Sequence, residues 1–187
     1  KAEELGLRPI KINTVVQKGV NDHTLVDLAS YFKGSGHIVR FIEFMDVGTL
    51  NGWTLDKVIT ANDIFQRINA EMPLEPMPPN YPGEVAERFR YIDGDGEVGI
   101  IGSVTRPFCG TCARARISTS GRLFTCLFSD VGFDLSSPLR SGATDQELEH
   151  IVRNIWGQRT DRYSEIRASL TERDRKRKKI EMYAIGG

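Results

Sequence analysis

Cys109, Cys112 and Cys126 are the three cysteines of this 187-residue chain, spaced Cys-x2-Cys-x13-Cys. Two thiols separated by two residues can bind one metal centre, and a two-stranded turn between Cys112 and Cys126 would fold the third back beside them. Thiolates favour zinc, cuprous copper or iron–sulfur clusters. A structural zinc site takes four protein ligands, usually as two pairs, and there is no second pair here. The nearest histidine, His150, falls in a separate predicted helix, and His23 and His37 lie far upstream. Three thiolates on a four-iron cluster would leave one iron open to a nitrogen or oxygen of a substrate. The residues alone leave three alternatives: such a cluster, a zinc-stabilised binding module, or buried thiols packed as small hydrophobes. Leu123, Phe124, Leu127 and Phe128 surround Cys126 in sequence, a context that suits a core thiol or a dry pocket wall.

Arg114 and Arg116 follow Cys112 at a spacing of two in a predicted strand, which sets them on one face about 7 Å apart. Two planar guanidinium forks beside a metal centre suit a phosphate chain, although paired arginines on a strand are commonly just solvated. Lys11 opens an earlier strand. Arg40 lies inside an apolar one, where a charge is costly unless it reaches a ligand or partner. Met45, at the end of that apolar strand, falls where parallel α/β sheets gather ligands; alone it reads equally as core. The basic run Arg173, Arg175, Lys176, Arg177, Lys178 and Lys179 reads as a solvated tail with no nucleic-acid role. The closing Gly186-Gly187 suits a narrow space or a frayed end.

The elements that must position these residues change character midway. Residues 10–16 alternate apolar and polar with many β-branched side chains and predict a strand. Asn21 or Asp22 can cap a helix running to about Lys33, and residues 38–45 predict a strand mostly buried on both faces. Strand, helix and strand in so short a stretch predict a βαβ unit and a parallel sheet. Thr60 or Asn62 opens a helix through about Glu71, ended by Pro73. Pro76, Pro78, Pro79 and Pro82 predict an extended linker and a domain boundary there. Beyond it, residues 88–92 and 97–104 predict one hairpin, and residues 114–119 and 123–128 a second. Thr144-Asp-Gln-Glu147 is a capping box opening a helix through about Trp156. The expected division is therefore 1–75, part of an α/β array, and 76–187, a smaller hairpin-rich module with all three cysteines.

Twenty-five Lys and Arg balance twenty-five Asp and Glu, so no global field points to nucleic acid or to a membrane surface. No apolar run approaches the roughly 20 residues that span a bilayer. Three unevenly spaced cysteines do not make a secreted disulfide framework, and a reducing, cytoplasmic setting is expected. The opening Lys1-Ala-Glu-Glu-Leu-Gly6 reads as the last turn of a helix with a glycine C-cap, hence the expectation of a fragment of something longer.

Four stretches carry a resemblance: residues 11–22 (KINTVVQKGVND), residues 39–45 (VRFIEFM), residues 108–117 (FCGTCARARI) and the closing Gly-Gly. Together they resemble the GTP 3′,8-cyclases, radical S-adenosylmethionine enzymes of molybdenum cofactor biosynthesis, and the likeness covers essentially the whole chain as their C-terminal portion. It implies an α/β fold, the C-terminal part of an incomplete TIM-type (β/α) barrel followed by a hairpin-rich module carrying the C-terminal 4Fe-4S cluster. Cys109, Cys112 and Cys126 would ligate that cluster, whose open iron takes the guanine of GTP. Lys11, Arg114, Ala115 and Arg116 would bind GTP, with Arg40 joining the triphosphate site; Met45 would contact S-adenosylmethionine, and Gly186 and Gly187 would assist catalysis. The implied reaction is abstraction of the ribose C3′ hydrogen by a 5′-deoxyadenosyl radical, then bonding of C3′ to guanine C8, giving (8S)-3′,8-cyclo-7,8-dihydroguanosine 5′-triphosphate. A homodimer is implied for the full-length enzyme. The family's Cys-x3-Cys-x2-Cys motif for the cluster that cleaves S-adenosylmethionine is absent from these residues, so this chain alone is expected to be inactive. An inert fragment with exposed strand edges is a further alternative.

Overall fold

The computed structural model describes all residues except 172–173, 175–178 and 186–187. It divides into two compact units, residues 1–45 with 53–111, and residues 46–52 with 112–187.

The first unit is a five-stranded sheet in the order β1-β2-β5-β4-β3, built from β1 (Lys11–Val16), β2 (Ile38–Glu43), β3 (Leu74–Met77), β4 (Glu87–Tyr91) and β5 (Glu97–Ile101). β1 and β2 pair in parallel, with Lys11 opposite Ile38 and Asn13 opposite Arg40. β2 and β5 are also parallel, whereas β4 runs antiparallel to both β5 and β3. The predicted βαβ unit is thus present, with α1 (Leu25–Phe32) as its crossover. Asn21 and Asp22 do not cap α1. Asn21 instead accepts from the Gln17 N–H and donates to the Val15 carbonyl, while Asp22 accepts from the Gly19 N–H, so both tie down the loop leaving β1. α2 (Ala61–Glu71) starts where expected, Thr60 accepting from the Asp63 N–H. Alternation sends Val16, Val39 and Phe41 toward the two helices, where Leu25, Ala29, Ile64 and Ile68 meet them in one apolar cluster. Lys11, Asn13 and Arg40 fall on the opposite face of the sheet.

Two expectations change here. Pro76, placed in a structureless linker by its proline-rich neighbours, lies within β3, paired with Phe89 of β4. Because β3, β4 and β5 add to the first sheet, the compact division falls after Thr111 and not after residue 75.

The second unit contains a three-stranded antiparallel sheet, β6 (Arg116–Ile117), β7 (Arg122–Phe124) and β8 (Phe133–Asp134). The second hairpin is present but shorter than predicted, and Arg114 lies before its first strand. Among the described residues three α-helices follow: α3 (Ser136–Arg140), α4 (Asp145–Gly157) and α5 (Tyr163–Ile166). The predicted capping box opens α4 as expected, with both reciprocal bonds between Thr144 and Glu147 in place. Among the described residues no helix is long and apolar enough to cross a membrane.

Candidate functional site

Cys112, Arg114 and Arg116 are each half-buried, while the alternating Ala113, Ala115 and Ile117 are exposed. The period-two pattern of a strand therefore starts at Cys112, although paired strand begins only at Arg116. Cys112 and the two arginines share the inward side, as their spacing predicts.

The charges on that side interact. Burial pushes the Cys112 thiol up, but the Arg114 N–H and guanidinium and the Arg159 charge outweigh it and hold the thiol below its usual range. Burial and the adjacent Arg114 charge pull Arg116 down, opposed by the thiols of Cys112 and Cys126. Two guanidiniums at mutual electrostatic cost, beside the Cys112 sulfur held toward thiolate, favour an added anion and a thiophilic metal. Cys109 lies in a 3-10 turn, Cys109–Thr111, in the first unit. All three thiols are free and half-buried. In kind they suit a thiolate-bound iron–sulfur group. No group of three or more Cys, His, Asp or Glu arranged to hold a metal ion is present among the described residues.

Sequence reasoning missed what braces this loop. Arg159, just beyond α4, donates from Nη1 to the Cys112 carbonyl and lies 4.8 Å from the Trp156 ring centroid. Its Nε also pairs with Asp161 at 3.2 Å, and Asp161 accepts at 2.6 Å from Thr125, the residue before Cys126. One cation–carboxylate pair thus ties the chain at Cys112 to the chain at Cys126. Nothing in the local pattern around Arg159 signals this, because its partners are distant in sequence.

A second set of buried charges also belongs to this unit. Asp46 accepts from Lys179 Nζ at 2.7 Å, pairs with Arg167 Nε at 2.8 Å, and takes the Tyr163 hydroxyl proton donor. Phe128 stacks on Tyr163 with centroids 4.5 Å apart, and both cations lie against these rings. Burial pushes the Asp46 carboxyl up, yet Arg167, Lys179 and Tyr163 more than offset this and hold it below the usual carboxylate range. The apolar-strand argument that singled out Arg40 applies equally to Glu43 and could have found it, whereas Asp46 lies past the end of that strand and out of its reach.

In the first unit, Arg40 is half-buried and donates from Nε to Asn13 across the β1–β2 pair at 2.8 Å. Gly99 lies opposite Arg40 on β5, and a Cβ there would meet the Arg40 Cγ at 3.0 Å, so the glycine makes room for the arginine stem. Lys11 is exposed at the start of β1. Met45 is half-buried two residues past the end of β2. Between them, Glu43 is fully buried, accepting from the N–H groups of Ala61, Val104 and Thr105 at 2.6 to 2.8 Å. This fixes the end of β2 just before Met45. Gly186, Gly187 and most of the basic run (Lys179 excepted) lie outside the described residues.

A sequence family described as Molybdenum Cofactor Synthesis C matches residues 37–165. Among curated proteins, one named GTP 3′,8-cyclase from Xanthomonas axonopodis pv. citri (strain 306) is 50% identical over 186 residues, covering 100% of this chain and 54% of its own length. A protein of the same name from Acidothermus cellulolyticus is 50% identical over 171 residues (89% of this chain, 47% of its own), and one from Staphylococcus haemolyticus is 46% identical over 179 (95% and 53%). The chain spans about half the length of these curated relatives.

Proposed function

The chain belongs to the Molybdenum Cofactor Synthesis C family, and from that membership we propose that it is the GTP-holding portion of a GTP 3′,8-cyclase of molybdenum cofactor biosynthesis. The observation that carries this beyond the names of relatives is the paired half-buried arginines, Arg114 and Arg116, in electrostatic contact with Cys112 and Cys126.

Cys109, Cys112 and Cys126 would hold the C-terminal 4Fe-4S cluster, which would supply Lewis-acidic iron for a nitrogen or oxygen of guanine. Arg114 and Arg116, with the Ala115 backbone, bind the GTP, each guanidinium offering a planar pair of donors to anionic oxygens. Lys11 and Arg40 in the first unit also bind GTP, Asn13 orienting the Arg40 fork, and Met45 contacts S-adenosylmethionine. Gly186 and Gly187 assist the reaction. The β1-α1-β2 unit is the C-terminal part of an incomplete TIM-type barrel: helices cover one face of its strands, and the other presents Lys11, Asn13 and Arg40, as an inner barrel wall would. With all three thiols committed to one cluster, S-adenosylmethionine cleavage falls to residues outside this chain. A reducing cytoplasm and a homodimer in the full-length enzyme belong to the same proposal.

Anaerobic reconstitution with iron and sulfide tests it. About four irons per chain with broad visible absorption are expected, against a single zinc and no colour for a zinc-stabilised module. Arg114→Ala and Arg116→Ala should each weaken GTP binding by about 1–3 kcal/mol, the range for a charge-assisted hydrogen bond. Unchanged affinity in both variants would remove their assigned role.

A further inference from the structure

Glu43 closes β2 on its core side. The strand buries every second residue, Val39, Phe41 and then Glu43, so alternation puts a carboxylate where the core calls for an apolar side chain. Its exposure is 0%, and a charge so placed is costly unless it is fully hydrogen-bonded. Here each oxygen takes two donors. Oε1 accepts from the Ala61 N–H at 2.6 Å and from the Thr105 hydroxyl, and Oε2 accepts from the N–H groups of Val104 and Thr105 at 2.6 and 2.8 Å. A carboxylate offers about four acceptor sites and no donor, whereas glutamine, with one oxygen, would strand some of these groups.

The donors come from two directions. Ala61 is the first residue of α2, while Val104 and Thr105 belong to the turn that leaves β5. That turn is closed by its own bonds, from the Ser103 N–H to the Ile101 carbonyl at 3.0 Å and from the Arg106 N–H to the Gly102 carbonyl at 2.9 Å. A Cβ on Gly102 would stand 2.9 Å from the Arg106 Cβ and 3.3 Å from the Ala61 Cβ, so glycine lets the turn lie against the start of α2. The strand end is also held by its backbone. The Ser103 hydroxyl donates to the Glu43 carbonyl at 3.3 Å, and the Trp53 indole N–H donates to the Phe44 carbonyl at 2.8 Å. Met45 follows Phe44 directly, and Cys109 lies four residues past Thr105, all within the first unit. One buried carboxylate thus joins the strand end that leads to Met45 to the segment that leads to Cys109.

We propose that Glu43 is a positioning residue that holds the Met45 and Cys109 segments in fixed register, so that the S-adenosylmethionine contact and one thiolate of the cluster are set by the same buried carboxylate. The tie stands on the contacts above, and its consequence for cofactor binding rests on the roles given to Met45 and Cys109 under the proposed function.

The test uses the cluster-loaded full-length enzyme. Its readouts are amide hydrogen exchange at Val104 and Thr105, affinity for S-adenosylmethionine, and the rate of Cys109 alkylation in the presence of an iron chelator. Peptide mass spectrometry resolves Cys109, so the third readout reports on this cluster alone. Loss of hydrogen bonds to a charged group predicts that Glu43→Gln speeds exchange of both amides roughly tenfold. A loosened support predicts Cys109 alkylation faster by roughly tenfold and several-fold weaker S-adenosylmethionine binding. The two sides should separate. Thr105→Val, which removes only the hydroxyl donor, should quicken Cys109 alkylation and leave S-adenosylmethionine affinity near wild type, and Trp53→Phe should do the reverse. Ile68→Val thins the same core away from these donors, so it should lower the unfolding midpoint and leave both cofactor readouts at wild-type values. Equal exchange at Val104 and Thr105 in wild type and Glu43→Gln overturns the tie. Faster exchange with both cofactor readouts unchanged, or changed no more than by Ile68→Val, overturns the positioning role. If Glu43→Gln does not fold, Thr105→Val and Trp53→Phe decide, and the same response from both overturns the proposal. A wild-type enzyme that binds no S-adenosylmethionine, or whose Cys109 alkylation is indifferent to the chelator, overturns the proposed function and the positioning role with it, while the exchange result still judges the tie separately.

Discussion

Glu43 and Asp46 are three residues apart, both carboxylates are buried, and the two units satisfy them in opposite ways. Glu43, in the first unit, is met by uncharged donors: the N–H groups of Ala61, Val104 and Thr105 and the Thr105 hydroxyl. Around it lies a continuous apolar core including Phe41, Ile64, Ile68 and Ile100. Asp46, in the second unit, is met by Arg167 and Lys179. Among the described residues, the buried apolar side chains of that unit are Leu123, Phe124 and Ile185, whereas Thr125, Arg167 and Lys179 are buried beside Asp46. α4 buries no residue at all. A unit with so little apolar interior needs other fastenings. Its buried ion pairs fix the partners in place, because losing one strands the other's charge, and a thiolate-bound cluster that forms only in the folded state would add stability. The first unit is held by burial, the second by charge and, on the proposed function, by its cofactor.

The largest effect expected from this contrast comes from neutralising each carboxylate in turn. Asp46→Asn leaves two buried cations facing an amide and should cost about 3–5 kcal/mol of stability. Glu43→Gln keeps shape and one acceptor but turns an amide NH2 toward backbone N–H donors, and should cost about 1–3 kcal/mol. Denaturant titration followed by tryptophan fluorescence separates the units, since Trp53 lies in the first and Trp156 in the second. The Asp46 effect should also depend on pH in a fixed direction. Its carboxyl is depressed in the folded state, so its contribution is complete above about pH 3.9, the ordinary aspartate value, and is lost as pH falls below that. Equal losses in the two variants, or a Trp156 transition insensitive to acid, would break the comparison.

A smaller effect is expected at Arg159. Replacing it with Met removes the donor to the Cys112 carbonyl and the partner of Asp161, freeing both ends of the cysteine loop. Outer-sphere changes of this kind typically weaken metal retention by 10-fold or more, so iron loss to a chelator should quicken by roughly that factor. Arg106, whose partner Glu87 is also on the surface of the first unit, is the control: Arg106→Met should leave iron retention unchanged. Identical chelation rates for Arg159→Met and wild type would mean that the clasp does not serve the thiols.

What could be read from sequence follows the same division. The β1-α1-β2 unit was legible because Lys11 to Val16 alternates and its β-branched side chains fit a pleated surface. Thr60 and Thr144 announced their helices through local capping chemistry. β3 was hidden by Pro76, yet β3 is an edge strand, the place in a sheet where a residue without an N–H is tolerated. In the second unit the cysteine and arginine spacings were legible. The bonds from Arg159 to Cys112 and from Lys179 to Asp46 span 47 and 133 positions, and no local period encodes them. Burial patterns leave a trace in short windows of sequence; long-range ion pairs leave none.

The finest test compares one substitution in both units. Thr60 and Thr144 are each N-caps, their hydroxyls accepting from the N–H three residues on at 3.1 and 3.3 Å. Either Thr→Ala change removes that bond at a cost of about 1 kcal/mol. α2 buries Ala61, Ile64 and Ile68 in the core, so its amides are expected to exchange only when the first unit unfolds. There Thr60→Ala should appear as a lower unfolding midpoint, with the exchange pattern along α2 preserved. α4 has no buried residue, so local opening is cheap and its first turn depends on the capping box. Thr144→Ala should therefore quicken exchange in α4 about fivefold, the factor that corresponds to 1 kcal/mol, while barely moving the Trp156 transition. Hydrogen exchange resolved by helix checks this directly. A purely global response to both substitutions would show that α4 is held as firmly as α2, and that the second unit has fastenings other than its buried charges.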